Sequence, residues 1–125
     1  MAVPIKADSN TSAYGGSALG AYDGTRYLES LRDGRNEIWY RGERVKDVTT
    51  HPELRGIAES IARIYDMQHD PETRDQMTYT EENGLRCSYS YFLPHSVEDL
   101  QMRRKNTEIW VDEVYGMCGR LPDFC

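Results

Sequence analysis

The sequence predicts an α+β domain that is mainly helical and carries small β-hairpins. Three observations lead there. Two stretches, 54–65 and 97–118, repeat apolar residues at helical spacing. Two turn signals, Arg41-Gly42-Glu43 and Asn83-Gly84, sit between short runs rich in β-branched and aromatic residues. The chain has 125 residues, about one domain's worth, and no linker or repeat divides it.

The elements follow in order. Residues 1–23 are rich in Ala, Gly, Ser, Asn and Tyr without a period, which reads as a mobile arm. The folded body runs from 24 to 125. Thr25 can cap a short helix from Arg26 to Arg32, which Asp33-Gly34 stops. Glu37–Tyr40 and Arg44–Lys46 make a hairpin around the glycine turn. Pro52 then opens the clearest helix, whose stripe is Leu54, Ile57, Ala58, Ile61, Ile64 and Tyr65. Arg55, Glu59, Arg63 and Asp66 take its other face, with Glu59 and Arg63 spaced for an ion pair. Asp70-Pro71 ends it. Met77–Thr80 and Leu85–Phe92 read as strands about Asn83-Gly84. Ser96 and Asp99 form a capping box for the second long helix, with stripe Val97, Leu100, Thr107, Trp110, Val111, Val114 and Cys118. Arg104 falls on that stripe, its head reaching to the edge.

Composition excludes several classes of function. Lys and Arg number 15 against 21 Asp and Glu, a net charge of −6 with no basic block, so nucleic acid and anionic membrane are not expected partners. No apolar run exceeds three residues or so, far below the ~18 of a membrane span, and no signal peptide is visible, so the default location is cytoplasmic. Three cysteines, Cys87, Cys118 and Cys125, without Cys-x-x-Cys, and three scattered histidines give no disulfide framework and no metal site. Trading the 9 Tyr for the 10 Gly turns the 38% hydrophobic share into about 39%, under the ~45–50% of an ordinary domain. With a mean hydropathy of −0.74, the chain is somewhat short of core for its length: either part of it is disordered, or part of it is an interface for a partner.

The order of segments carries more. Tyr27-Leu28-Glu29-Ser30-Leu31-Arg32-Asp33 comes first, then Tyr40-x-Gly42-Glu43-x-Val45-x-Asp47-Val48-Thr49-Thr50-His51-Pro52. Tyr65-Asp66-x-Gln68-His69-Asp70-Pro71, Met77-Thr78-Tyr79 and Leu93-Pro94-x-Ser96-x-x-Asp99-Leu100 follow. Trp110-x-Asp112 and Gly116-Met117-x-Gly119-Arg120-x-Pro122-Asp123 close the series. Over about residues 24–125 this resembles the N-terminal region of the 4-hydroxyphenylacetate 3-hydroxylase oxygenase family. The resemblance implies the N-terminal helical domain of an acyl-CoA dehydrogenase-like fold, with the β-barrel and C-terminal bundle absent from this chain. It implies the oxygenase component of a two-component monooxygenase, which uses reduced FAD from a separate flavin reductase, and O2, to hydroxylate a phenol ortho to its hydroxyl. Partners would be the remainder of the oxygenase, the reductase and a phenolic small molecule, free or carrier-bound, in a homo-oligomer of the complete enzyme.

The same resemblance places Arg120 at the flavin and substrate, as a catalytic, substrate-binding and cofactor-side residue. A fixed cation suits an anion in a desolvated pocket, where charge counts for more than in water. Phe124 stands where the family commonly has Tyr. Its ring can pack on an aromatic substrate but cannot bond a phenol hydroxyl. Two other readings stand beside this one. The chain could be a non-catalytic binding or assembly module derived from the family. The sister 4-hydroxybutyryl-CoA dehydratases pair two cysteines four apart, whereas Cys118 here is followed by Pro122.

Overall fold

The computed structural model describes residues 20–117. Helix α1 (Gly24–Ser30) leads to a hairpin of β1 (Ile38–Tyr40) and β2 (Glu43–Val45). Helix α2 (Arg55–Met67), the short helix α3 (Arg74–Met77) and a second hairpin of β3 (Thr78–Thr80) and β4 (Arg86–Ser88) follow. A 3-10 turn (Tyr89–Tyr91) connects to α4 (Val97–Glu113). Both sheets are two-stranded and antiparallel. Such ribbons are marginal alone and lean on helices.

Asp23, not Thr25, caps α1. Its Oδ1 accepts from the Arg26 amide at 2.7 Å, which starts the helix two residues early. Gly24 then lies against α2, where its amide donates to Asp66 Oδ1 at 2.7 Å. A Cβ on Gly24 would stand 2.6 Å from the Ala62 carbonyl oxygen and 2.6 Å from Asp66 Oδ2. Tyr27 stacks on Tyr65 with ring centroids 4.9 Å apart. The approach of α1 to α2 thus depends on the missing side chain at residue 24. The boundary expected at residue 23 falls inside packed chain: Ala21 is buried and its amide donates to the Arg86 carbonyl at 2.9 Å. The rest of the expected arm, residues 1–19, lies outside the described residues.

The first hairpin pairs Tyr40 with Glu43, so Arg41-Gly42 is a two-residue turn. Their φ values of 52° and 82° match the turn whose twist suits flanking strands. In the second, the Gly84 amide donates to the Glu81 carbonyl at 2.9 Å and the Glu81 amide to the Leu85 carbonyl at 2.8 Å. That leaves a three-residue loop with Gly84 at φ 81°. The strand expected over Leu85–Phe92 stops at Ser88. Ser88 Oγ accepts from the Ser90 amide at 3.2 Å and turns the chain.

Helix α2 begins at Arg55, because a turn over residues 51–54 comes first, with the Arg55 amide on the His51 carbonyl at 2.9 Å. Its buried face is Ala58, Ala62 and Ile64. Ile57, expected on that face, is 57% exposed, since α1 draws the Ala62–Asp66 side inward. Asp66 therefore faces α1, and Arg63 pairs with Glu113 of α4 rather than with Glu59.

Helix α4 carries the expected capping box: Ser96 Oγ accepts from the Asp99 amide at 3.1 Å, and Asp99 Oδ2 accepts from the Ser96 amide at 3.0 Å. Its inward row differs from the expected stripe. Asn106 and Trp110 are buried, while Val97 and Leu100 are exposed and Thr107 faces solvent. Cys118, at the end of that stripe, lies outside the described residues. Asn106 Nδ2 reaches Ser90 Oγ at 3.0 Å, which turns the helix so that a polar residue occupies an inner position. Arg104 pairs with Glu108 at 2.7 Å on the outside. The core joins Ile64, Met77 and Trp110, with Met67, Ile109, Val111 and Val114 around it.

Candidate functional site

Two concavities flank this core. The first is a cleft of about 410 Å³ lined by four tyrosines, Tyr22, Tyr65, Tyr79 and Tyr91, with Gln68 and Cys87 among them. Its walls are set by the strap of residues 20–22, the end of α2 and the second hairpin. His69 Nε2 donates to the Tyr22 carbonyl at 3.0 Å, which fixes the strap to α2. Gly20 passes the hairpin so closely that a Cβ would stand 3.0 Å from the Arg86 carbonyl and 3.1 Å from Cys87 Sγ. Tyr79 packs on Tyr89 and Phe92, centroids 5.4 Å and 4.8 Å away.

The electrostatics of the cleft are negative. Glu81 lines it, and no Lys, Arg or His does. Burial first, and then the nearby charge of Glu81, push the Cys87 thiol up from its ordinary value. Burial also raises the Tyr79 hydroxyl, helped by Cys87 and Glu81. Both shifts favour the protonated forms, which weakens Cys87 as a nucleophile. Four aromatic faces suit a neutral ring, but the lining offers nothing to hold a phenolate or a diphosphate.

The second concavity is a groove of about 490 Å³ between the start of α2 and the end of α4. Gly56, Ile57 and Ser60 line one side and Val114, Tyr115 and Met117 the other. Arg63 and Glu113, also in the lining, neutralise each other.

The residues that the sequence singles out, Arg120 and Phe124, both lie outside the described residues, so neither joins the geometry above. The cleft is not foreshadowed by any one motif, because its tyrosines come from four separate segments. The close Tyr-Asp-x-Gln-His run at 65–69, which supplies Tyr65, Gln68 and His69, is the available signal. Neither concavity supplies an unpaired cation for a diphosphate: the cleft's lining has none, and the arginine lining the groove is paired with Glu113. Among the described residues no group of three His, Cys, Asp or Glu is placed to hold a metal ion. No helix among them is long and apolar enough to cross a membrane.

Comparison with known proteins bears on the whole stretch. Residues 23–125 match the family described as "4-hydroxyphenylacetate 3-hydroxylase N terminal". The 4-hydroxyphenylacetate 3-monooxygenase oxygenase component of Thermus thermophilus is 44% identical over 104 residues, covering 83% of this chain and 21% of that protein. The oxygenase component of 4-nitrophenol 2-monooxygenase from a Rhodococcus species is 46% identical over 103 residues, 81% of this chain and 20% of that one. A crystal structure of the oxygenase component of 4-hydroxyphenylacetate 3-monooxygenase, complexed with FAD and 4-hydroxyphenylacetate, superposes with a TM-score of 0.77 at 45% identity. It covers 82% of this chain and 21% of that chain. The chain thus spans about a fifth of the length of the relatives it matches.

Proposed function

The chain belongs to the 4-hydroxyphenylacetate 3-hydroxylase family, and on that premise we propose that it is the N-terminal part of the oxygenase component of a two-component flavin-dependent monooxygenase. The complete enzyme takes reduced FAD from a separate reductase and hydroxylates a phenol ortho to its hydroxyl. Its cofactor supplies the activation of O2 when bound. The observation that carries this reading is the match over residues 23–125, which takes in Arg120 and Phe124. The solved neighbour with FAD and 4-hydroxyphenylacetate supports the cofactor and the substrate class. The helical framework with two small hairpins is consistent with the N-terminal domain of an acyl-CoA dehydrogenase-like enzyme. Assembly as a homo-oligomer and a cytoplasmic location belong to the same reading.

This chain's share of the chemistry is charge and shape. Arg120 holds an anion of the substrate or cofactor in a pocket shut off from water, where a fixed cation acts without reorganising. Phe124 packs on the substrate ring and leaves its hydroxyl to another donor. The tyrosine cleft carries a carboxylate and no cation in its lining; the role of Arg120 rests on the family match.

The test exchanges residues 23–125 of this chain for the matching segment of the thermophilic relative and supplies reduced FAD, O2 and a series of phenols. The chimera hydroxylates at least one of them. Arg120→Ala lowers its turnover roughly 100-fold or more, the usual cost of removing a group that stabilises developing charge. Unchanged turnover in that variant refutes the role of Arg120, and a folded chimera inert toward every phenol refutes the function.

A further inference from the structure

We propose that the groove between the start of α2 and the end of α4 seats an apolar, uncharged stretch of the remaining four-fifths or so of the oxygenase polypeptide. The proposal rests on the reading that this chain is part of such an oxygenase, and it names the surface by which it joins the rest.

Three features of the groove are costly to this chain alone. Gly56 lies in a helix, where glycine is a poor choice, yet a Cβ built there meets nothing within 4 Å and its φ is ordinary. No contact within the described residues calls for a glycine. Tyr115 holds φ at 53°, unusual for a side-chain-bearing residue, and the conformation leaves its ring 94% exposed beside the groove. Ile57 and Met117 add apolar surface, each 57% exposed. Large side chains so placed at one concavity mark a surface meant to be covered.

The occupant's chemistry follows from the lining. Arg63 and Glu113 already pair with each other across the groove, so neither calls for a charged partner. The floor offers Ile57, Val114 and Met117, which favour aliphatic or aromatic side chains. Its source follows from length. The relatives that share this fold carry it within chains about five times as long, so most of the polypeptide that must pack on this domain lies beyond the matched segment.

The test uses the full-length chimera with Ser60→Cys, a mild change on the groove wall. Maleimide labelling is read peptide by peptide against a free cysteine peptide, alongside phenol hydroxylation. Labelling of the introduced thiol roughly tenfold slower than the free peptide, recovered on unfolding, is the expected result, since access governs thiol reactivity. Fast labelling in a chimera that hydroxylates phenols overturns the docking surface and leaves the function standing. Slow labelling in a chimera without activity supports the surface and overturns the function. Fast labelling without activity overturns both. A disulfide cross-link joining the introduced thiols of two copies makes the groove a contact between like chains and also overturns the proposal. Should the variant fail to fold, slowed hydrogen exchange at the Ile57 and Ser60 side of α2 gives the same reading in the unsubstituted chimera, compared with the exposed Asn36 loop.

Discussion

Replacing Gly24 and Gly56 with alanine, one at a time, adds the same methyl group and is expected to move stability in opposite directions. At Gly24 the new Cβ falls 2.6 Å from a backbone oxygen in α2. That oxygen cannot yield without bending the helix, so α1 must back away by several tenths of an ångström. Doing so stretches the 2.7 Å bond from the Gly24 amide to the Asp66 carboxylate and loosens the Tyr27–Tyr65 stack. Overpacking costs about 1–3 kcal/mol, and weakening a hydrogen bond to a charged group adds to it, so a loss of about 2–3 kcal/mol is expected. At Gly56 nothing lies within reach. Alanine there improves helix propensity and removes freedom from the unfolded chain, a gain of about 0.5 kcal/mol. Urea unfolding followed by circular dichroism reads both. With a slope of ~1 kcal/mol per molar, Gly24→Ala lowers the midpoint by about 2–3 M and Gly56→Ala raises it by about half a molar. A neutral Gly24→Ala refutes the close approach of α1 to α2. In this chain by itself, a destabilising Gly56→Ala refutes the open groove.

A second pair tests the face of α2. Ile64→Ala removes a wholly enclosed side chain and costs about 3–4 kcal/mol, while the same change at the exposed Ile57 costs under about 1 kcal/mol. Equal midpoints in urea would show the helix to be turned otherwise. Acid should loosen the start of α4. Backbone amide bonding from His95, joined by Ser96, holds the Asp99 carboxyl below its ordinary 3.8. Its contribution is therefore complete above that pH and fades as the pH falls through the lower folded value. Amide exchange at residues 96–100 should rise there, and Asp99→Asn should flatten the dependence. Ser96→Ala removes the other half of the cap and costs about 1 kcal/mol at neutral pH, read by the same urea titration.

How much of this is legible in the sequence depends on which force decides each element. Turn chemistry is readable: Gly42 and Gly84 occupy the positive-φ positions their neighbours suggest. So is the capping box, which is local. The helices' inner faces are less so, because hydrophobic counting ranks Ile57 above Ala62 and Leu100 above Asn106. Packing decides otherwise. Ala62 is inside because α1 packs on that turn of α2, with Gly24 against the Ala62 carbonyl, and Asn106 is inside because Ser90, sixteen residues earlier, offers a hydroxyl. Neither partner is visible from the helix's own pattern. Helix α3 escapes notice because four residues show no period. For the site, the motif around Arg120 is readable only through the family it resembles, and the tyrosine cleft only once four segments have met.

The two tryptophans divide the protein optically. Trp110 is sealed in the core beside Ile64 and Met77, whereas Trp39 stands on the first hairpin in water. A soluble quencher should therefore darken one emitter and spare the other. Light surviving the quencher reports on α4 alone, so a docked polypeptide, a bound ring or a loosened cap can each be followed in solution without a label.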